Sequence, residues 1–202
     1  MKNVLLLGDS IRMNYCGKVA EILKDEAVTH YTGENNRFAK YLLWGIHDYF
    51  ARWDMNYFDI IHFNAGSWDV NRVTGDGVFT PIGEYSETIK RIGILLKKHC
   101  GKLIFATTTP CGADIPDYSP VDTGGTGAIM GRVSQDTFNS DVARYNRAAI
   151  EALDGIIDGV DDLNALISSD IPRYICDDSL HLSEDGIEAA ARQVAESVRR
   201  FI

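Results

Sequence analysis

The stretch LLLGDSIRMNY at residues 5–15 puts a serine directly after an apolar run, behind Gly8 and Asp9. Gly-Asp-Ser is ordinary turn chemistry that ends a strand and caps the next helix, but it is also a place where a hydroxyl nucleophile can stand. A serine hydroxyl is a weak nucleophile until a base accepts its proton, and that base needs an orienting partner. Of the five histidines, His47 and His99 fall in helical patterns, His62 in a strand and His30 at the end of one. Each has an easy structural reading. His181 differs, because it stands in CDDSLHLSEDG, a polar loop before the last helix, with Asp178 three residues earlier and Asp177 beside it. In a turn, the three-residue spacing lets the carboxylate reach one imidazole nitrogen while the other faces outward, which is how an aspartate fixes the tautomer and steadies the imidazolium. Asp-x-x-His alone is what many polar surface loops look like; joined to Gly-Asp-Ser it points to nucleophilic catalysis.

For these ends of the chain to meet, the elements between them must bring them together. Val4, Leu5, Leu6 and Leu7 form a continuous apolar run, the pattern of a strand buried on both faces. Residues 16–27 read as a helix and 27–31 as a weak strand. Phe38, Tyr41, Leu42, Gly45, Ile46, Tyr49, Phe50 and Trp53 recur at helical spacing. FDIIHFNAG gives a third strand, and Thr80-Pro81 opens a helix to about residue 99, with the threonine hydroxyl as its cap. KLIFATTT supplies a fourth strand, and a long irregular segment, 110–135, follows it. A helix at about 137–153, a short strand at 155–160 and a helix from Ser183 complete the chain. Five strands separated by helices predict an α/β fold of one domain: a flavodoxin-like three-layer α/β/α sandwich with a five-stranded parallel sheet in the order 2-1-3-4-5. In that order the crevice between the carboxyl ends of strands 1 and 3 is the expected ligand site, and Ser10 and Asn64 both stand there.

Composition narrows the function. The 202 residues carry a net charge of −9 with no basic run, so the electrostatic footprint of a nucleic-acid partner is missing. No membrane-length apolar stretch and no cleavable leader pattern are read. Cys16, Cys100, Cys111 and Cys176 lie far apart without CxxC, which predicts no metal site, no disulfide framework and a cytoplasmic protein with reduced thiols. Gly124-Gly125-Thr126-Gly127 lacks the lysine of a phosphate loop and reads as a flexible loop.

LLLGDS, NAGSWD and DDSLHLSEDG together resemble the three sequence blocks of the GDSL-type SGNH hydrolases, in the family's order along nearly the whole chain. The resemblance implies no cofactor and acyl transfer to water, with Ser10 as nucleophile, His181 as general base and Asp178 orienting it; Asp177 is the adjacent alternative. It also implies an oxyanion hole made by the Ser10 N–H, a backbone N–H from a second block, and an asparagine from Gly-x-Asn-Asp. Here Gly66-Ser67-Trp68-Asp69 puts a tryptophan where that asparagine would stand, which leaves Asn64 as the substitute, or as a residue that only satisfies local backbone. In GENNRFAKY, Asn36 stands where a glycine would be expected, with Gly33 as the alternative; asparagine tolerates the positive φ that would turn its N–H inward.

Asp9, Arg37 and Trp68 are the candidate substrate-binding residues, Arg37 by steering a polar or anionic group and Trp68 by packing. Trp44 and Trp53 read as packing aromatics, and so do Tyr145 and Asn146 in FNSDVARYNRAA, a segment similar to one in carbohydrate-directed members. The expected activity is a serine esterase acting on small acyl esters, acetyl above all, of a carbohydrate or similar polar alcohol. A non-catalytic sugar-binding or scaffold protein on the same fold and a lipase or thioesterase for longer chains stand as alternatives. A flavin or nucleotide module ranks last, because Asp9 puts a carboxylate where phosphate would sit.

Overall fold

The computed structural model describes residues 1–52, 56–72, 76–118 and 129–202. The expectations for Trp53 and for the glycine-rich stretch 124–127 concern residues outside that set. Strands β1 (Lys2–Leu7), β2 (Ala27–Tyr31), β3 (Phe58–Phe63), β4 (Cys100–Ala106) and β7 (Gly159–Asp161) form one parallel sheet in the order β2-β1-β3-β4-β7. This is the 2-1-3-4-5 order expected, with β7 as its fifth strand. Parallel strands joined by helices are covered on both faces, which is why their sequences run as continuous apolar stretches rather than alternating ones.

The alternation shows instead in where each side chain goes. Leu5, Leu7, Ile61, Phe63, Leu103 and Phe105 pack under α2 (Ala39–Arg52), α3 (Ile82–Lys97) and α4 (Gln135–Ala152). Val4, Leu6, Ile60, Ile104 and Ala106 pack under α1 (Ser10–Ile22), α5 (Leu163–Ser168) and α7 (Glu184–Arg199). These two cores make the three layers. The chain leaves β1 for β2 on one side and returns to β3 on the other, so the carboxyl ends of β1 and β3 border the crevice where such sheets bind ligands.

Several elements differ from the sequence reading. Helix α1 starts at Ser10 rather than at residue 16, because the Asp9 side chain caps it by accepting the Ile11 N–H at 3.0 Å. Arg12 sits on its buried side, which hid the apolar period. Thr80 does not cap α3; Pro81 takes the cap position without a side-chain bond, and the Thr80 hydroxyl hydrogen-bonds the Asp69 carboxylate. The segment 110–135 contains an antiparallel pair, β5 (Ile115–Tyr118) and β6 (Ile129–Val133), and α4 begins directly after its Ser134 cap. Trp44 is 65% exposed and meets only rings of its own helix, Tyr41 and His47, among the described residues. Two short helices, α5 and α6 (Ile171–Tyr174), fill a stretch whose pattern carries no strong period. Tyr145 and Asn146 do pack: the Tyr145 hydroxyl donates to the Thr80 carbonyl at 2.6 Å, and Asn146 holds both main-chain groups of Thr108. Among the described residues, no helix is long and apolar enough to cross a membrane.

Candidate functional site

Ser10 is the first residue of α1, so its N–H has no acceptor within the helix and points out of the positive end of the helix dipole. The turn before it needs glycine: Gly8 has φ 157°, and a Cβ there would fall 1.8 Å from the Asn64 side-chain oxygen. The Ser10 turn and the end of β3 are thereby pressed together.

The other half of the site is a turn anchored at both ends. Ile175 and Leu182 form a β-bridge, the Cys176 N–H donates to the His181 carbonyl at 2.9 Å, and Ser179 takes φ 65° at the tip. The Leu182 N–H reaches the Asn14 side chain of α1 at 3.4 Å, and the Gly112 N–H reaches the Ser179 carbonyl at 2.7 Å. Within this frame Asp178 Oδ1 accepts the Leu180 and His181 N–H groups, each at 2.8 Å, and the Cys176 thiol at 3.2 Å. Its Oδ2 lies 2.6 Å from His181 Nδ1, and His181 Nε2 lies 2.9 Å from Ser10 Oγ. Burial would raise the Asp178 pKa, but the main-chain N–H groups of His181 and Leu180, the imidazole and the thiol outweigh it and hold the carboxyl well below the usual range. An ionised Asp178 accepts a hydrogen bond from Nδ1–H, which keeps the proton on Nδ1 and leaves Nε2 as the acceptor facing the serine hydroxyl. Asp177 is exposed and makes no described contact with the imidazole.

The remaining candidates divide. Asn36 is brought beside the Ser10 turn, but its N–H donates to the Gly8 carbonyl at 3.2 Å and is not available to a substrate. Its Oδ1 accepts the Gly8 N–H at 3.0 Å and its Nδ2 bonds the Tyr49 hydroxyl, so Asn36 fastens two loops together. The positive φ of this segment falls at Arg37, at 47°. The Arg37 N–H goes to Asn35 Oδ1 at 2.9 Å and the Ala39 N–H to the Asp69 carboxylate at 3.0 Å, which leaves Phe38 as the one N–H from 36 to 39 with no described acceptor. Gly33 is exposed with open space around it. Asn64 is 3% exposed, and its main-chain N–H is fixed on the Leu7 carbonyl at 3.1 Å. Among the described residues its Oδ1 is buried without a hydrogen-bond partner, and its amide helps to lower the Asp9 pKa.

Asp9 is not a substrate contact: it is wholly buried beneath α1 as the helix cap, and burial raises its pKa against Asn64, Ile11, Arg12 and His181, which lower it. Arg37 is exposed and lies 5.5 Å from the centre of the Tyr41 ring, while Trp68 is half-buried in the turn after β3 with no described hydrogen bond or ring contact.

Sequence reasoning missed three residues of this site. Arg12 was legible only as a cation where the helix period asks for an apolar side chain. Asp69 holds the start of α2, and Cys176 donates to the triad-like carboxylate; neither carries a signal beyond its position near a block. Among the described residues, no three or more His, Cys, Asp and Glu side chains converge as a metal site requires.

No family model matches the chain, and no curated protein matches it. Solved structures do. The acetyl xylan esterase AlAXEase superposes with a TM-score of 0.71 at 19% identity, over 97% of this chain and 99% of that one. Axe2, an acetylxylan esterase from Geobacillus stearothermophilus, gives 0.70 at 14% identity over 98% and 94%. A putative SGNH hydrolase from Slackia heliotrinireducens gives 0.65 at 19% identity over 98% of each chain. At such identities likeness speaks for architecture, and this chain has the fold that these acetyl xylan esterases and SGNH hydrolases share.

Proposed function

We propose that the protein is a serine esterase of the SGNH type that removes small acyl groups, acetyl above all, from a carbohydrate or similar polar alcohol. The observation that carries the reading is the unbroken chain Ser10 Oγ, His181 Nε2, His181 Nδ1, Asp178 Oδ2, with links of 2.9 and 2.6 Å. In this reading Ser10 gives its proton to His181 Nε2 as its oxygen attacks the ester carbonyl, and the imidazolium is steadied by Asp178. The protonated imidazole then returns that proton to the departing alcohol. Water enters, loses a proton to His181 and releases the acid from Ser10 by the same path.

The developing oxyanion needs donors aimed at it before the reaction. The Ser10 N–H at the start of α1, the Phe38 N–H and the Asn64 amide supply them in this reading. The choice of acetylated carbohydrate is supported by the acetyl xylan esterases that share the fold. The four free cysteines suit a reducing compartment, in keeping with a cytoplasmic site of action.

The test is fluorophosphonate labelling beside hydrolysis of p-nitrophenyl esters of increasing chain length and of acetylated xylo-oligosaccharides. Labelling at Ser10 with turnover that falls as the acyl chain lengthens supports the reading. Preference for long chains turns it toward a lipase or thioesterase. Sugar binding with neither label nor turnover fits the second reading, a binding protein, which Trp68, standing where the asparagine of Gly-x-Asn-Asp would be, favours.

A further inference from the structure

Arg12 follows the nucleophile by two residues on α1 and is wholly buried, a rare place for a guanidinium. Its donors go to main-chain carbonyls rather than to a carboxylate. Nη1 donates to Thr32 O at 2.7 Å, and Nη2 donates to Gly8 O at 3.2 Å and Glu34 O at 2.5 Å. One cation therefore ties the main chain just ahead of Ser10 to the loop that follows β2. That loop runs on through Asn36, which exchanges two bonds with Gly8, into the start of α2, where Asp69 holds the Ala39 N–H. The closest acidic group in sequence, Asp9, feels the cation through space, yet among the described residues Asp9 Oδ2 and Arg12 Nε are each buried without a hydrogen-bond partner.

Taking a guanidinium out of water is costly, and an apolar side chain of similar volume would serve packing at least as well. What a cation adds here is fixed geometry between two irregular segments, the two that carry the Ser10 and Phe38 N–H groups. We infer that Arg12 is a positioning residue for the oxyanion site: it locks residues 32–38 against the nucleophile turn so that these N–H groups are aimed before charge develops on the substrate. The inference rests on the esterase reading above.

Arg12→Ala and Arg12→Lys test it, with kcat and KM on p-nitrophenyl acetate, the affinity of a boronic acid whose tetrahedral serine adduct mimics the oxyanion, and amide hydrogen exchange over residues 32–39. Loss of aligned donors is expected to lower kcat by about 10²-fold with KM changed little, and to weaken the boronate by a similar factor. Exchange should quicken at 32–39 and hardly elsewhere, and guanidinium, well below unfolding concentrations, should restore part of the Arg12→Ala loss. If Arg12→Ala does not fold, Arg12→Lys carries the same readings. A folded variant that keeps kcat and boronate affinity, or one that only raises KM, overturns the inference and leaves the esterase reading standing. A wild type that neither turns over nor labels at Ser10 overturns both.

Discussion

Among the described residues stand two histidine–aspartate pairs of similar length in opposite settings. At the carboxyl end of the sheet, His181 and Asp178 meet at 2.6 Å with side chains 35% and 50% exposed. Inside, His62 Nε2 and Asp161 Oδ2 meet at 2.9 Å with side chains 0% and 2% exposed. The difference lies on the other nitrogen: His181 Nε2 faces Ser10 Oγ, whereas His62 Nδ1 has no hydrogen-bond partner among the described residues. It lies also in how each carboxylate is held. Asp178 is served by N–H groups of its own turn, a device that three residues of spacing can build anywhere on a surface. Asp161 lies 99 residues from His62, and its second oxygen takes Gln193 of α7 at 2.7 Å. Because β3 and β7 flank β4 and are not neighbours, the buried pair bridges two strands across a third and fastens a helix to both. A hydrogen-bonded pair is thus a candidate relay where a nucleophile and solvent meet it, and a strut where neither does.

The largest expected effect breaks the first pair's link to Ser10, the nucleophile of the proposed mechanism. Ser10→Ala and His181→Ala should each lower kcat by about 10⁵- to 10⁶-fold, and Asp178→Asn by about 10⁴-fold, since it leaves the imidazole in place with the wrong tautomer. Steady-state hydrolysis of p-nitrophenyl acetate measures all three. Equal and small losses would place the chemistry elsewhere. The buried pair should answer in stability instead: His62→Leu leaves an unpaired buried carboxylate and should cost about 3–5 kcal/mol, while His62→Leu with Asp161→Leu should cost far less. Denaturant unfolding reads both, and kcat per folded molecule should change little in either. If His62→Leu lowers kcat without lowering stability, the contrast drawn between the pairs fails.

A smaller effect sharpens the contrast within the site. Asn64→Ala should lower kcat by about 10²- to 10³-fold if its amide meets the oxyanion, whereas Trp68→Phe should leave kcat nearly unchanged. The reverse order would return the tryptophan to the asparagine's role.

This part of the molecule also shows what a sequence can carry. The strands were legible because parallel, doubly covered strands are written as unbroken apolar runs, and Asp178 with His181 because their geometry is local to one turn. Ser10 could be tied to them only because Gly-Asp-Ser follows such a strand. The weak pattern at 27–31 is a true strand, since its edge position leaves Val28 and Tyr31 exposed and dilutes the apolar signal. Arg12 and Asn36 were not legible in the same way, because their roles are fixed by bonds to main-chain atoms 20 to 28 residues distant, and main-chain geometry leaves no trace in residue type. Trp44 lies outside the apolar stripe of its helix, and its ring stays largely in solvent against Tyr41 and His47 of the same helix.

The smallest expected effect concerns a third acid, Asp69, which meets neither a histidine nor solvent. Burial, partly offset by the Thr80 hydroxyl and the Ala39 N–H, raises its pKa to about 6 in the folded protein. With an unfolded value near 3.8, the folded state binds the extra proton between roughly pH 4 and 6, so this group's contribution to stability falls as pH rises through that window and is constant outside it. The full difference is of the order of 3 kcal/mol. Asn at this position keeps an acceptor for the Ala39 N–H and removes the charge. Asp69→Asn should therefore gain on wild type as pH rises from 4 to 6 and hold that gain at pH 7.5, as read by urea unfolding at each pH. A gap between the two proteins that does not widen over that window would mean that Asp69 stays ionised when buried, with the helix start and Thr80 together as its counter-charge. Its place in the molecule would then be closer to that of Asp178, an anion kept by main-chain donors, than to that of a buried strut.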